Sequence, residues 1–392
     1  MVSDDGRVVI AVNGEIYNFR GLRDALEGGS GTRFRSQSDS EVLLHGYRAW
    51  GISGMLGRLD GMYAFSIYDA ETHRLFLARD RVGIKPLYYA TWKGGIVWAS
   101  ELKALESLLA NDGLEVDPTA VYDFLTYWYV PTPKTLYRNV FKLEPAHYLE
   151  VDVRTGAMTK TRYWALEPAV ESITPDDAAE RLRALVSQSL REQLVSDVPV
   201  GFFLSGGMDS SVLVAEAAAA GADVRTYTIG FDVAAHDETP FAATVAARFG
   251  TRHHARRLTL SAAVDSFPSL RPWYDEPFAD TSALPTFLVS RFARESVTVA
   301  LSGEGGDEVF GGYSSYLTFE RRLARRLANI PGLGAVASTV RKALSAPGVR
   351  NVGRRWEPFL LNDDVELFAR VRSRMLARDK QAYADRLGID PS

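Results

Sequence analysis

The spacing of apolar residues changes near residue 165, and the change divides the chain in two. Upstream, Arg7–Val12 reads as a strand, while Asn18–Leu26 and Asp39–Trp50 have helical spacing, with Val42, Leu43, Tyr47 and Trp50 on one face. Met62–Asp80 and Pro86–Ser100 each hold two aromatic or β-branched runs about a short polar or glycine-containing turn, which predicts two β-hairpins. From about residue 115 the chain reads as a connector. Tyr129–Val151 carries Pro131, Pro133 and Pro145, which suit extended chain and turns better than helix.

Downstream the period alternates. Thr174 is placed to cap a helix with Pro175 at its first position, and Leu182, Leu185, Val186, Leu190 and Leu194 keep helical spacing behind it. Then follow strand Val200–Leu204, helix Ser211–Ala220, strand Val224–Phe231, helix Thr239–Phe249, strand His254–Leu260, helix Ala283–Arg294 and strand Val297–Leu301. Strand and helix in alternation imply crossover units and a parallel sheet. The fold class is therefore α/β, with an antiparallel sheet-rich part followed by a parallel-sheet part.

Composition narrows the function classes. The 392 residues are 46% hydrophobic and 24% charged, with a formal net charge of −4, which gives no general attraction for nucleic acid or anionic membrane. No run approaches the roughly 18 apolar residues of a membrane helix, and the start lacks the pattern of a signal peptide, so cytoplasmic is the expected location. There is no cysteine, which removes disulfides, thiolate metal sites and thiol nucleophiles from these residues.

The chemistry is concentrated in two loops. Leu204-Ser205-Gly206-Gly207-Met208-Asp209-Ser210-Ser211 lies between a predicted strand and a predicted helix. Glycines let backbone approach a phosphate, the helix start offers free N–H groups, and the serines offer hydroxyls. Asp209 would be repelled by bare phosphate, so its natural role is to hold Mg²⁺ against it. No lysine follows the glycines, so this is not a Walker A loop; a plain glycine–serine turn capping a helix is the alternative. Ser302-Gly303-Glu304-Gly305-Gly306-Asp307-Glu308 follows another predicted strand, and its three acids call for a cation unless they form only a solvated turn. Two such loops at the carboxyl ends of parallel strands fit the rule for ligand clefts in open α/β sheets.

Taken in order, SGGMDSS (205–211), YTIGFD (227–232), DEPFADTSALP (275–285) and LSGEGGDEVFGGY (301–313) resemble the synthetase domain of the glutamine-hydrolysing asparagine synthetases. Independently, NGEIYN (13–18), SDSE (38–41), LDGMYAF (59–65), ARDR (78–81), GIKPLYY (83–89) and ASELK (99–103) resemble that family's glutaminase domain. The resemblance implies an αββα-type glutaminase-like domain over 1–165, incomplete at its amino end. An adenine-nucleotide α-hydrolase-like synthetase domain follows over 166–392, shortened at its carboxyl end.

The implied reaction amidates aspartate to asparagine through β-aspartyl-AMP, using ATP and Mg²⁺. The resemblance carries Leu204, Ile229, Ser302 and Gly303 to the nucleoside and Ser205, Gly206, Gly207, Ser210 and Ser211 to pyrophosphate. It carries Asp209 and Asp307 to Mg²⁺, Glu304 to the ammonia step, and Asp280 and Ser282 to the aspartate substrate. Related β-lactam-forming enzymes place a tyrosine at the position of Glu304, so glutamate favours the asparagine reading. Asn13 and the Gly14 amide would form an oxyanion hole, and Glu15 and Asp39 would bind the glutamine α-amino group.

The chain departs from the family in its missing cysteine nucleophile, and no match for the family's pyrophosphate-contacting lysine is found in 350–392, where Lys380 qualifies by residue type alone. The expectation is a fragment without glutaminase activity, or else a diverged member using free ammonia. Two further alternatives keep the nucleotide loop: action on another carboxylate, and a catalytically dead nucleotide-binding paralogue. Expected partners are small molecules (aspartate, ATP, glutamine or ammonia), with a homodimer left open. His253-His254 and the basic run Arg321–Arg326 read as ordinary solvated or core residues.

Overall fold

The computed structural model of the chain describes residues 1–234, 237–313 and 384–386. The basic run at 321–326 and Lys380 lie outside them.

The amino-terminal part runs β1 (Val8–Ile16), α1 (Phe19–Ser30), α2 (Glu41–Leu56), β2 (Gly61–Asp69), β3 (Arg74–Arg79), β4 (Tyr88–Trp92), β5 (Gly95–Ala99), α3 (Leu102–Leu109), α4 (Pro118–Tyr127), β6 (Val140–Lys142), β7 (His147–Asp152) and β8 (Met158–Arg162). The strands make two antiparallel sheets, ordered β1-β2-β3-β7-β8 and β5-β4-β6. Both predicted hairpins are present, as β2–β3 and β4–β5.

Alternation along β2 explains the layering. Tyr63, Phe65 and Ile67 face one way and pack with Leu22 and Leu26 of α1 and Val42, Leu43 and Met55 of α2. Ala64 on the opposite face joins Leu77, Leu149 and Val151 in a core that meets Tyr89 and Ile96 of the smaller sheet. The far face of that sheet buries Ala90 and Val140 against Leu102, Leu105 and Leu109 of α3. The order of layers is helix, sheet, sheet, helix. Fully burying each large apolar side chain stabilises by about 1.5–3 kcal/mol, so this interior outweighs any surface ion pair.

The segment expected to be a connector is woven into both sheets. Its prolines fall between the strands, where no ladder N–H is needed, which leaves Val140–Lys142 and His147–Asp152 free to pair. A helix also forms where none was expected. Pro118 opens α4 and the Asp117 carboxylate accepts the Thr119 N–H at 2.9 Å.

The second part runs α5 (Pro175–Gln193), β9 (Val200–Phe203), α6 (Met208–Ala219), β10 (Arg225–Phe231), α7 (Thr239–Phe249), β11 (Arg252–Leu258), α8 (Leu260–Asp265), a 3₁₀ turn (Phe267–Trp273), α9 (Ala283–Ala293), β12 (Val299–Leu301) and α10 (Gly306–Phe310). Thr174 caps α5 as expected, accepting the Asp177 N–H at 3.2 Å. Among the described residues its four strands are parallel, in the order β11-β10-β9-β12. Leu190, Val214, Ala217, Ala242 and Ala246 of α5, α6 and α7 pack with Phe202 and Leu204. Tyr227 packs instead with Val289, Phe292 and Ala293 of α9.

Candidate active site

The strand order reverses at β9. The chain steps outward from β9 to β10 to β11 and then returns to the other side of β9 as β12. In an open α/β sheet such a reversal leaves a crevice at the carboxyl ends of the two strands, because their loops leave in opposite directions. Residues 204–207 leave β9 there and residues 302–305 leave β12 beside them, with Phe202 paired to Leu301.

The first loop is closed by its own hydroxyls. Ser205 Oγ accepts the Gly207 N–H at 3.1 Å and lies 3.0 Å from Ser210 Oγ, which accepts the Ser205 N–H at 3.3 Å. Gly206 has φ +83, and a β-carbon there would sit 2.6 Å from the Phe241 carbonyl carbon, so both conformation and space require glycine. Gly207 precedes α6 without a side-chain cap, which leaves the first-turn N–H groups of the helix without a capping side chain. Ser211 Oγ is buried and has no hydrogen-bond partner among the described residues.

The second loop presses on the first. A β-carbon at Gly303 would lie 2.9 Å from Asp209 Cβ and 3.1 Å from Ser210 N, and one at Gly306 would lie 2.5 Å from Asp209 Cγ. Glycine at both positions lets the loops touch. Ser302 Oγ accepts the Glu304 N–H at 3.4 Å, Glu304 is exposed, and Asp307 lies in the first turn of α10. Ile229 lies on β10 beyond Tyr227, where β10 last pairs with β9, so it too is at the carboxyl end. Leu204 is buried beneath, its N–H donating to Tyr227 O at 3.0 Å.

A separate cluster stands on β1. Asn13 and Glu15 share one face of the strand and are exposed, opposite Ala64 and Met62 of β2. Gly14 lies between them with its Cα tight against the Tyr63 backbone, so a β-carbon would sit 2.6 Å from Tyr63 Cα. Asp39 Oδ2 accepts the Ile16 N–H at 2.7 Å, which draws Asp39 to the end of β1. Partial desolvation and the neighbouring Asp39 push the Glu15 carboxyl up, with Lys85 opposing. Two carboxylates so placed favour a cationic group between them.

Asp280 and Ser282 stand at the start of α9, exposed. Asp280 Oδ1 accepts both the N–H and the hydroxyl of Ser282, each at 2.7 Å, and neither residue bonds to either glycine loop.

The profile of the glutamine amidotransferase domain matches residues 1–164, and that of asparagine synthase matches residues 181–390. The chain belongs to the asparagine synthase family.

Relatives within this asparagine synthase family include a putative glutamine-hydrolyzing asparagine synthetase of Mycobacterium tuberculosis, 40% identical over 315 residues covering 79% of this chain and 48% of the relative. Glutamine-hydrolyzing asparagine synthetase 1 of Bacillus subtilis is 37% identical over 313 residues, covering 80% and 49%. A putative asparagine synthetase 2 of Methanocaldococcus jannaschii is 34% identical over 369 residues, covering 92% and 69%. The chain spans about half the length of the first two relatives.

Two features of this family member escaped sequence reading. Asp80, in the ARDR block, is completely buried and accepts the N–H groups of Tyr63, Val82, Gly83, Ile84 and Lys85 at 2.7 to 3.3 Å. Arg79 beside it donates to the carbonyls of Gly83, Lys85 and Leu143. Glu41 is likewise buried, holding the Arg35 and Ser36 amides at 2.8 Å and so shaping the loop that carries Asp39. In sequence both stand only within blocks of family resemblance, because nothing local reveals that backbone will fold around them.

Proposed function

We propose that the chain activates a carboxylate with ATP and transfers ammonia to it, the acceptor being aspartate and the product asparagine. The observation that carries this reading is the meeting of the two glycine loops, with Gly303 and Gly306 against Asp209 at the reversal point of the parallel sheet.

The donor set fits a nucleotide. The Gly206 turn, the free amides of α6 and the unpartnered Ser211 hydroxyl form a cradle for pyrophosphate oxygens. Asp209 and Asp307 would hold Mg²⁺, which when bound offsets charge building on the leaving phosphates. No cluster of three metal-ligating side chains is present among the described residues, and Mg²⁺ at such sites takes most of its ligands from phosphate and water. Leu204, Ile229, Ser302 and Gly303 frame the nucleoside.

In the reaction the aspartate side-chain oxygen attacks the α-phosphorus and pyrophosphate leaves, giving β-aspartyl-AMP. Ammonia then attacks the acyl carbon, loses a proton and displaces AMP. Glu304 is the residue of this loop suited to orient the ammonia or take that proton. Asp280 and Ser282 are assigned to the aspartate substrate. The amino-terminal cluster of Asn13, Gly14, Glu15 and Asp39 is assigned to glutamine, with the two carboxylates on its ammonium. Among the described residues no helix is long and apolar enough to cross a membrane.

The test is pyrophosphate release from ATP by the full chain with ammonium, with and without aspartate. Release that depends on aspartate supports the reading. Release with a different carboxylate reassigns the acceptor, and nucleotide binding without release overturns the enzymatic reading.

A further inference from the structure

The DEPFADTSALP segment has a second use at its amino end. Asp275 and Glu276 sit between the 3₁₀ turn and α9, and both reach across to the amino-terminal domain. Asp275 Oδ2 accepts the Leu102 N–H at 2.5 Å, at the start of α3, a helix whose own capping residue supplies no side-chain bond. Lys103 seals the same corner, donating to Pro272 O at 2.9 Å and lying 3.3 Å from Asp275 Oδ1.

Glu276 goes deeper. Its Oε1 accepts the Leu136 N–H at 2.7 Å and its Oε2 lies 2.5 Å from Lys142 Nζ. Lys142 also donates to Val130 O at 2.6 Å, and the two side chains are 10% and 14% exposed. Directly afterwards the Ala279 N–H donates to Trp128 O at 2.9 Å, and the next residue is Asp280, which holds Ser282. The loop assigned to the acceptor is thus pinned at its start by five partners on α3 and the 128–142 segment. Surface ion pairs contribute little to such a join, but a paired, hydrogen-bonded and nearly buried carboxylate cannot lose its partner without leaving an uncompensated charge.

We propose that Asp275 and Glu276 are positioning residues: anchored to the amino-terminal domain through Leu102, Leu136 and Lys142, they set the position of residues 279–282 and with it the binding of the acceptor amino acid. This rests on the reading of Asp280 and Ser282 given above. It also makes the amino-terminal domain part of the synthetase site, whatever its own chemistry.

The experiment compares the full chain with Lys142→Met, Glu276→Gln and the double variant. Two readouts are taken: amide hydrogen exchange by mass spectrometry, and KM values for aspartate and ATP in the ammonium-driven pyrophosphate assay. Either single variant is expected to speed exchange at 279–283 about tenfold and to raise KM for aspartate by a similar factor, leaving KM for ATP within about twofold. Exchange in β9, β10 and β12 should stay as in the parent. The double variant, which leaves no unpaired charge and keeps an oxygen facing Leu136, is expected to recover most of both effects.

Unchanged exchange at 279–283 in both single variants overturns the proposal, as does an equal rise in the two KM values. A parent chain that releases no pyrophosphate defeats the functional reading instead, and the exchange measurement then decides the anchor alone.

Discussion

The carboxyl carbon of Asp209 lies against the backbone of Gly306, so close that a β-carbon on the glycine would fall 2.5 Å from it. The contact joins the first turn of α6 to the start of α10 and fixes the direction in which Asp209 points. A side chain at 306 must displace either the carboxylate or the loop. Gly306→Ala is therefore expected to weaken ATP binding by about tenfold or more, at a stability cost of about 1–3 kcal/mol. Gly28→Ala is the control, since no atom lies within 4 Å of a β-carbon there and the residue is helical; it should be neutral or slightly stabilising. Calorimetric titration of both variants with ATP separates a local effect from a general one.

Gly206→Ala makes a stricter demand on the same loop. It combines a left-handed φ of +83 with a contact to the Phe241 backbone at 2.6 Å, and backbone cannot swing away as a side chain can. The expected result is loss of ATP binding to below a hundredth of the parent affinity, with the amino-terminal domain unfolding as before. Nucleotide affinity within threefold of the parent would show that 205–211 is only a helix cap.

Asp80→Ala should be among the most damaging substitutions in the amino-terminal domain. It would strip the carboxylate from five backbone amides, three of them on one oxygen, and among the described residues only Gly83 would keep a second acceptor, the Asp80 carbonyl at 3.2 Å. Buried amides left without partners cost about 1–3 kcal/mol each, less when the loop can open to water, so a total of about 3 kcal/mol or more is expected. Urea unfolding followed by circular dichroism measures it. A loss under about 1 kcal/mol would mean that the 80–85 turn holds itself without the carboxylate.

How far the sequence disclosed this site depends on how local each cause is. Ser205–Ser211 was legible as a turn between strand and helix, because glycine, serine and the change of period all occur within a few residues. That Gly303 and Gly306 touch Asp209 followed only from the parallel order of β9 and β12, which the alternation of strand and helix implied but did not specify. Pro118 and Asp117 start α4 by ordinary capping, yet the prolines after it obscured the signal. The anchors Asp275, Glu276, Asp80 and Glu41 were not legible in role. Their partners are mostly backbone N–H groups, which every residue has, and those of Asp275 and Glu276 lie 173 and 140 residues away. Asp280, assigned to substrate by resemblance, is found bonding the start of α9, a use its spacing from Ser282 would allow in any helix.

Glu41 gives the structure a pH dependence whose sign can be worked out. Burial would raise its pKa, but the Ser36 hydroxyl and the Arg35 and Ser36 amides prevail and hold it below the ordinary value of 4.5. The folded pKa is thus below the unfolded one, and between them the unfolded chain binds the extra proton. The stabilisation is complete above the ordinary value and is lost as pH falls through the folded pKa. Glu41→Gln should therefore be less stable than the parent at pH 7, with the gap narrowing below about pH 4. Melting temperatures across pH 3 to 8 test this; a gap that widens toward acid would reverse the assignment.

The nitrogen source can be decided on the purified chain. Glutamine hydrolysis in an amidotransferase of this kind needs a nucleophile, and the 392 residues hold no cysteine to supply a thiolate. On the function proposed above, the cluster on β1 would hold glutamine through the neighbouring carboxylates of Glu15 and Asp39 and the exposed Asn13. Binding groups without a thiolate nucleophile predict recognition without turnover. Glutamate release from glutamine should stay at the blank rate, while ammonium supports aspartate-dependent pyrophosphate release with a rising pH profile that follows free ammonia. Glutamate formed in proportion to added chain, and abolished by Asp39→Asn, would show that another group on this domain attacks the amide.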